Sequence, residues 1–363
     1  MTLRDRVAAG VLFFLTLNPT LPASAVTAVD DFFLAVENRA LSLPNSQLLA
    51  NDDIDPKLRR TVVFLDKPEF GKVTILDDKV QFVPAPGFVG IDSFRYHLET
   101  SEGASNPATV RIHVSPYYAP VVGDWIGAGN LLVGIYVNAP VPYFLLCEAL
   151  GEEPVCPRYW APPAFWGMLP IAGNWDADPA DEVGLYNPAT GRFYLRDLGP
   201  DRTLPPLVDF KLGQGGKGNF PLVGDWNGDR VASVGIRRAV DGFFGLRNTN
   251  GPGSFDHFFE LTGSPPDALP FFGDWDLAGG DSVGLYDPQT GIVSLRNELT
   301  SGPPDFQAPL SIDAALTPVW GEGHGNQNFL LVFFDRVQHA FYHVSTWPDN
   351  AAIKVIVPTD PDG

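Results

Sequence analysis

The sequence predicts an all-β protein in two parts, and three observations predict it. Strand-length runs with period-two alternation recur along the chain. Glycine (37) and proline (35) are spread over all 363 residues, a density that suits short strands and tight turns. A segment of about 50 residues repeats from Pro120 onward, and no stretch shows sustained helical periodicity. The chain exceeds the size at which one core stops growing, so at least two domains are expected. Hydrophobic residues make up 45% and charged residues 18%, a globular rather than disordered balance.

The first 25 residues read as a signal peptide. Arg4 and Arg6 precede an apolar run of 11 residues, Val7–Leu17, and Ala23-Ser24-Ala25 supplies small residues for cleavage after Ala25. That run is far below the roughly 20 residues needed to span a bilayer. No later stretch is long or apolar enough to span, and no Cys follows the run to carry a lipid. Export is therefore expected, to the extracellular space or cell surface. Without this segment 22 basic residues face 42 acidic ones, a formal charge of −20. Such a surface repels phosphate backbones and anionic lipid, which argues against nucleic acid or an anionic membrane as partner and favours divalent cations. The two cysteines, Cys147 and Cys156, flank a turn that carries Gly and Pro. In an exported chain they read as a disulfide stapling a hairpin, worth ~2–3 kcal/mol for so short a loop. No His or second Cys pair lies nearby to favour a metal instead.

Residues 26–115 read as one β-sandwich. Strand signals fall at Phe32–Val36, Thr61–Leu65, Lys72–Leu76, Val80–Val83, Ser93–Leu98 and Thr109–Val114. Phe94, Tyr96 and Leu98 share one face, as do Val110, Ile112 and Val114. Ala28-Val29-Asp30-Asp31, Glu37-Asn38, Leu49-Ala50-Asn51-Asp52-Asp53-Ile54-Asp55, Phe70-Gly71-Lys72-Val73 and the run from Phe82 to Tyr96 resemble bacterial cadherin-like tandem modules. The resemblance implies an immunoglobulin-like sandwich in an exported bacterial protein, with calcium at the tips of some members. Asp30, Asp31, Asp52, Asp53 and Asp55 form an acidic cluster there, read first as solvated loop carboxylates.

From residue 116 to 363 the chain repeats. Pro-Val-Val-Gly-Asp-Trp begins at Pro120, Pro-Ile-Ala-Gly-Asn-Trp at Pro170, Pro-Leu-Val-Gly-Asp-Trp at Pro221 and Pro-Phe-Phe-Gly-Asp-Trp at Pro270. A worn copy begins at Pro318, and the spacings are 50, 51, 49 and 48. Ten residues after the Asp or Asn a glycine returns (Gly134, Gly184, Gly235, Gly284), replaced by Val332 in the last copy. Strands such as Val183–Tyr186 and Arg192–Arg196 follow, and fourth strands are expected at Leu207–Leu212, Asp256–Leu261 and Ile353–Val357. Four strands per repeat is the signature of a propeller blade, because one such sheet cannot cover its own apolar faces and must stack in a closed ring. Five copies predict five blades, with a β-solenoid as the alternative. Trp125, Trp175, Trp226 and Trp275 recur at one register, as packing between blades demands.

The loops after each Gly-Asp-Trp carry the candidate chemistry. Copy two offers Asn174, Asp176, Asp178 and Glu182; copy three offers Asp225, Asn227 and Asp229; copy four offers Asp274, Asp276 and Asp281. Oxygens at positions 1, 3 and 5 of a tight loop converge, and a calcium ion takes six to eight of them. The pattern resembles the FG-GAP or VCBS-type repeats of integrin α-subunit propellers and secreted bacterial proteins, which implies calcium held in these loops. Copy one has Ile126 and Ala128 at ligand positions, copy four has Ala278, and copy five has His324 and Asn326. Asp and Asn also build turns by bonding their own backbone, so calcium in copies two and three competes with that simpler role.

Gly280-Asp281-Ser282-Val283-Gly284 spells a serine nucleophile elbow, but Ser282 aligns with Ser233 and Glu182, which marks a repeated structural position. His339 and His343 would lie apart along a strand. With no catalytic constellation, the sequence favours a binding or adhesion protein that docks an extracellular protein or glycan. The rival reading is a hydrolase or lyase for extracellular polysaccharide, with its catalytic groups in the irregular stretches Glu148–Trp166 or Gly213–Asn219.

Overall fold

The computed structural model describes residues 26–149, 155–216, 218–238, 240–265, 268–276, 278–310, 316–321, 330–335, 340–346 and 351–356. The expected signal peptide, His324, Asn326 and His339 lie outside them. The described chain is almost wholly strand, with one helical turn at Asn45–Leu48 and a 3-10 turn at Pro163–Phe165. Among the described residues no helix is long and apolar enough to cross a membrane.

The N-terminal part is a sandwich of two sheets. One runs in the order Asp31–Val36, Ala108–Ser115, Gly90–Thr100, Arg60–Phe64; the other runs Leu41–Pro44, Lys79–Pro84, Gly71–Leu76. Every strand read from the alternation has its counterpart. Leu41–Pro44 was not legible, because a run of four residues ending in proline is too short to read as a strand. Asp31–Val36 pairs with Ala108–Ser115 in parallel, which ties the start of the module to its end. The alternating residues Phe94, Tyr96, Leu98, Val110, Ile112 and Val114 all point into the core, where they meet Leu43, Val80 and Phe82 from the other sheet.

The repeats form five antiparallel four-stranded sheets, each ordered as its strands follow in sequence. The first has Tyr118–Gly123, Leu132–Val137, Tyr143–Leu146 and Arg158–Trp160; the second has Leu169–Gly173, Glu182–Asn187, Arg192–Arg196 and Pro206–Lys211. The third has Phe220–Gly224, Ser233–Arg237, Phe244–Leu246 and His257–Phe259; the fourth has Leu269–Gly273, Ser282–Asp287, Ile292–Arg296 and Phe306–Pro309. Leu316–Gly321, Leu330–Asp335, Ala340–Thr346 and Ala351–Ile356 make the fifth. Glu148–Trp166, expected to be irregular, in fact holds the outermost strand of the first sheet.

The first strand of each sheet lies beside the first strand of the next, and that of the fifth lies beside that of the first. The sheets therefore stack in a closed ring, with the Pro-x-x-Gly strands innermost. Apolar clusters fill each seam. Trp125 packs with Val183 and Leu185 of the next sheet, Trp175 with Val223, Val234 and Ile236, and Trp226 with Val283 and Leu285. Trp275 packs against the cluster that contains Phe333, and the closing seam joins Val319, Val332 and Phe334 to Val122, Val133 and Leu145. Each such side chain contributes ~1.5–3 kcal/mol on burial. Isolated sheets would leave these faces in water.

The repeated glycine of the second strand has a packing cause. Gly284 stands opposite Phe271, and a Cβ there would overlap the Phe271 ring. In the last sheet Val332 takes the position and faces the smaller Val319. Large-with-glycine becomes medium-with-medium, which is why the copy looks worn in sequence yet pairs like the others.

The sandwich seats on one end of the ring. Leu34 lies against Gly167 (φ 77°), and Phe32 lies near Gly216, both in connections between successive sheets. The Ser115 hydroxyl donates to the Gly167 carbonyl at 2.7 Å, and the Tyr117 N–H donates to a Glu37 carboxylate oxygen. Because these connections enter the innermost strands, the Gly-Asp-Trp loops emerge at the opposite end.

Candidate functional site

The Asp or Asn of each Gly-Asp-Trp is spent on its own loop. Asp124 accepts the N–H groups of Ala128 and Gly129, Asp225 those of Asp229 and Arg230, and Asp274 those of Ala278 and Gly279. Asn174 closes its loop with Ala177 and Asp178. Copy one makes the same bonds although Ile126 and Ala128 offer no ligand side chain. Turn building is thus the common role of this position.

A second carboxylate position locks adjacent sheets. Asp181 accepts the N–H of Asp124 at 2.7 Å, and its own N–H donates to the Asp124 carbonyl. Asp281 does the same with Asp225, again at 2.7 Å. In copy three Ala232 keeps only the backbone half, its N–H donating to the Asn174 carbonyl. These buried carboxylates satisfy main-chain groups that the innermost strand cannot pair within its own sheet. The sequence placed Asp281 among calcium ligands; it is a seam residue instead. Its periodic position just before Glu182 or Ser282 was the available signal.

Copy two alone gathers a cluster. The carboxylates of Asp176, Asp178 and Glu182 lie within 4.8 Å of one another, with Asp176 and Asp178 exposed and Glu182 buried. Among the described residues no other three acidic, His or Cys side chains meet in this way. Ala177 adopts φ 68°, the left-handed turn that folds the loop back so that its side chains converge. Burial pushes Glu182 up to about 8, against the pull of the Trp175 N–H, and Asp176, Asp178 and Asp181 push it further. The carboxylates are crowded, and each adds to the cost of ionising Glu182. Oxygen donors of this kind suit a hard dication, with Asn174 Oδ1 beside the loop and water completing the shell.

Among the described residues the other predicted ligands form no such group of three carboxylates. In copy three Asn227 donates to Asp229, whose second oxygen caps Val231. In copy four Asp276 accepts the Ala278 N–H, the same N–H that Asp274 holds. Ser282 is buried at the start of a strand, its hydroxyl 3.3 Å from the Gly273 carbonyl, matching Ser233 over Gly224. No strand-to-helix turn presents it. Cys147 and Cys156 are bonded and clamp the hairpin between the third and fourth strands of the first sheet.

In the acidic cluster of the sandwich Asp30, Asp53 and Asp55 are exposed, as solvated loop carboxylates would be, whereas Asp31 is buried and Asp52 half-buried. The Tyr96 hydroxyl reaches both Asp31 and Asp52, Asp52 accepts the Val29 N–H, and Asp30 accepts the Thr109 N–H. Burial, reinforced by Asp52, raises Asp31 to about 7. The Thr109 N–H, with Arg111 beside it, holds Asp30 below the usual carboxylate range.

Two aromatic patches break the repeat and reach solvent. On the outermost strand of the first sheet Trp160 is 50% exposed, with the Arg158 guanidinium over it at 5.1 Å and over Tyr143 at 4.2 Å. On the third sheet Phe258 is 49% exposed and stacks on Phe243 at 4.9 Å and Phe255 at 5.9 Å, with Arg238 above it. Sequence reading missed both, because aromatics in strands are ordinarily core.

No curated protein matches the chain. Among solved structures, BBS1N crystallised in complex with ARL6DN is similar over 74% of this chain and 78% of that one, at 11% identity and a TM-score of 0.35. A DUF4784 family protein from Bacteroides caccae is similar over 91% and 94%, at 10% identity and a TM-score of 0.27. Residues 22–113, which span the sandwich, match the bacterial Ig domain family, and the first module of the chain is Ig-like.

Proposed function

We propose that the chain is an exported binding protein: an Ig-like module carrying a five-bladed propeller of the FG-GAP/VCBS kind, calcium-stabilised in the second blade, which docks an extracellular glycan or protein. The observation that carries this reading is a division of labour. The polar residues that repeat are consumed by loops and seams, whereas the non-repeating exposed features are aromatic rings under guanidinium groups. Trp160 with Arg158 and Phe258 with Arg238 offer flat apolar faces beside a fixed cation in an otherwise acidic chain. Such faces stack against sugar rings or partner side chains at modest entropic cost. Asp176, Asp178 and Glu182, with Asn174, would hold the calcium ion and fix the loop.

The test is a glycan array probed with the protein and its Trp160→Ala and Phe258→Ala variants, run beside turnover assays on the retained sugars. The reading expects retention, weakened roughly tenfold by at least one substitution, without product. Product release would overturn it in favour of a polysaccharide hydrolase or lyase. No retained glycan would leave an extracellular protein as partner.

A further inference from the structure

A cavity of about 160 Å³, open to solvent, lies on the axis of the ring, lined by the innermost strands of all five sheets. Every lining side chain is apolar, yet most of the wall that solvent can reach is polar. Only main-chain groups can supply that polarity. The ladder shows which ones they are.

In the first sheet the Cys147 N–H donates to the Val133 carbonyl, so Val133 turns its main-chain groups outward. Val122 stands opposite Val133 and Pro120 opposite Ile135, two residues along. In an antiparallel ladder such pairs turn their N–H and C=O away from each other, so Val122 and Pro120 face the axis. The third sheet repeats the arrangement: the Arg247 N–H donates to the Val234 carbonyl, which leaves Val223 and Pro221 facing inward. Pro170, Pro270 and Pro318 hold the same register opposite Leu185, Leu285 and Phe333.

Proline has no N–H, so its level of the axis presents carbonyl oxygens alone. The adjoining level of Val122, Ala172, Val223 and Phe272 presents one N–H and one carbonyl from each strand. The axis-facing edge therefore carries twice as many acceptors as donors at the cavity. Farther along the strand the imbalance ends, because Asp181 and Asp281 take up the main chain of Asp124 and Asp225. A proline on an unpaired edge also blocks strand addition, but that role does not account for its recurrence around an axis that the innermost strands of all five sheets already line.

We propose that the ring of prolyl carbonyls binds a monovalent cation of the potassium class. Neutral carbonyl oxygens can replace the loose hydration shell of a large monovalent ion, as in selectivity filters, whereas a small divalent ion gives up its water reluctantly and prefers carboxylates. The formal charge of −20 on the chain without its first 25 residues adds a favourable field. This site is separate from the carboxylates of the second blade, and either can fail without the other.

The test is diffraction from the full chain crystallised in rubidium chloride with a calcium chelator, using the anomalous signal of rubidium. It is paired with melting curves in potassium against a bulky organic cation. The reading expects a rubidium peak on the axis and a higher midpoint in potassium. In the Pro221→Ala/Pro270→Ala variant, which returns two N–H donors to the ring, it expects the potassium affinity to fall roughly tenfold or more. Should that variant not fold, Pro221→Ala alone serves, with a smaller loss in the same direction. Water in place of rubidium, or a potassium response unchanged by the substitutions, would overturn the proposal. A calcium response retained in the variants would show that the second-blade loop is intact.

Discussion

Single residues decide whether the ring holds. Asp281 is a buried carboxylate whose removal leaves the Asp225 N–H without its acceptor at a closed seam. Asp281→Ala should cost about 1–3 kcal/mol in denaturant unfolding. Asp276→Ala, at an exposed position, should cost far less. Equal effects would remove the distinction between seam and loop. Glu182 sets a second residue-scale expectation. Its folded pKa of about 8 exceeds its ordinary 4.5, so the folded state binds more protons across that window. Stability without divalent cation should fall as pH rises from about 4.5 to about 8. Asp31, raised to about 7, acts in the same sense up to that pH. Buried His113, lowered to about 4 by burial, opposes both below its ordinary 6.5. Between pH 6.5 and 8 the carboxylates act alone, and melting midpoints there should decline in wild type. They should decline less steeply in Glu182→Gln, where Asp31 still titrates and the amide oxygen can still accept the Trp175 N–H. A flat wild-type profile would mean that Glu182 is not crowded.

At the scale of elements, the sequence-level reading succeeded where periodicity is strong and failed where a residue's role depends on its neighbour in space. The strands around Val183–Tyr186 and Phe94–Leu98 were legible because alternation and turn residues bound them locally. The outermost strand Arg158–Trp160 was not, since three residues after a disulfide-bonded turn carry no period. The ligand pattern of copies two to four was legible as a string of Asp and Asn. Only distances separate the cluster of Asp176, Asp178 and Glu182 from Asp225 and Asp274, since the carboxylates of both sets accept main-chain N–H groups of their loops. The seam role of Asp181 and Asp281 belongs to the next sheet along, beyond the reach of local pattern. The hairpin closed by Cys147–Cys156 supports that same outermost strand. Replacing both cysteines with serine should cost ~2–3 kcal/mol. It should also raise hydrogen exchange in Arg158–Trp160 while leaving the third sheet unchanged.

For the whole molecule, the physical necessity is that each sheet borrows its cover from the next. Trp125, Trp175 and Trp226 each reach across a seam, and the fifth sheet returns to the first through Val319 and Phe334. The Ig-like module caps the end where the connections enter the innermost strands, so the acidic loops face away from it. The result is a scaffold whose repeated polar side chains are largely used by loops and seams, on which unrepeated aromatics and one carboxylate cluster remain for function. Calcium at that cluster is the point on which the account is most exposed. The direct measurement is calorimetric titration of the protein with calcium, beside Asp178→Asn and Glu182→Gln. The account predicts saturable binding in the range of about 0.1–1 mM, strengthening as pH rises toward 8 and lost in both variants. Absence of binding, or binding that survives either substitution, would contradict it.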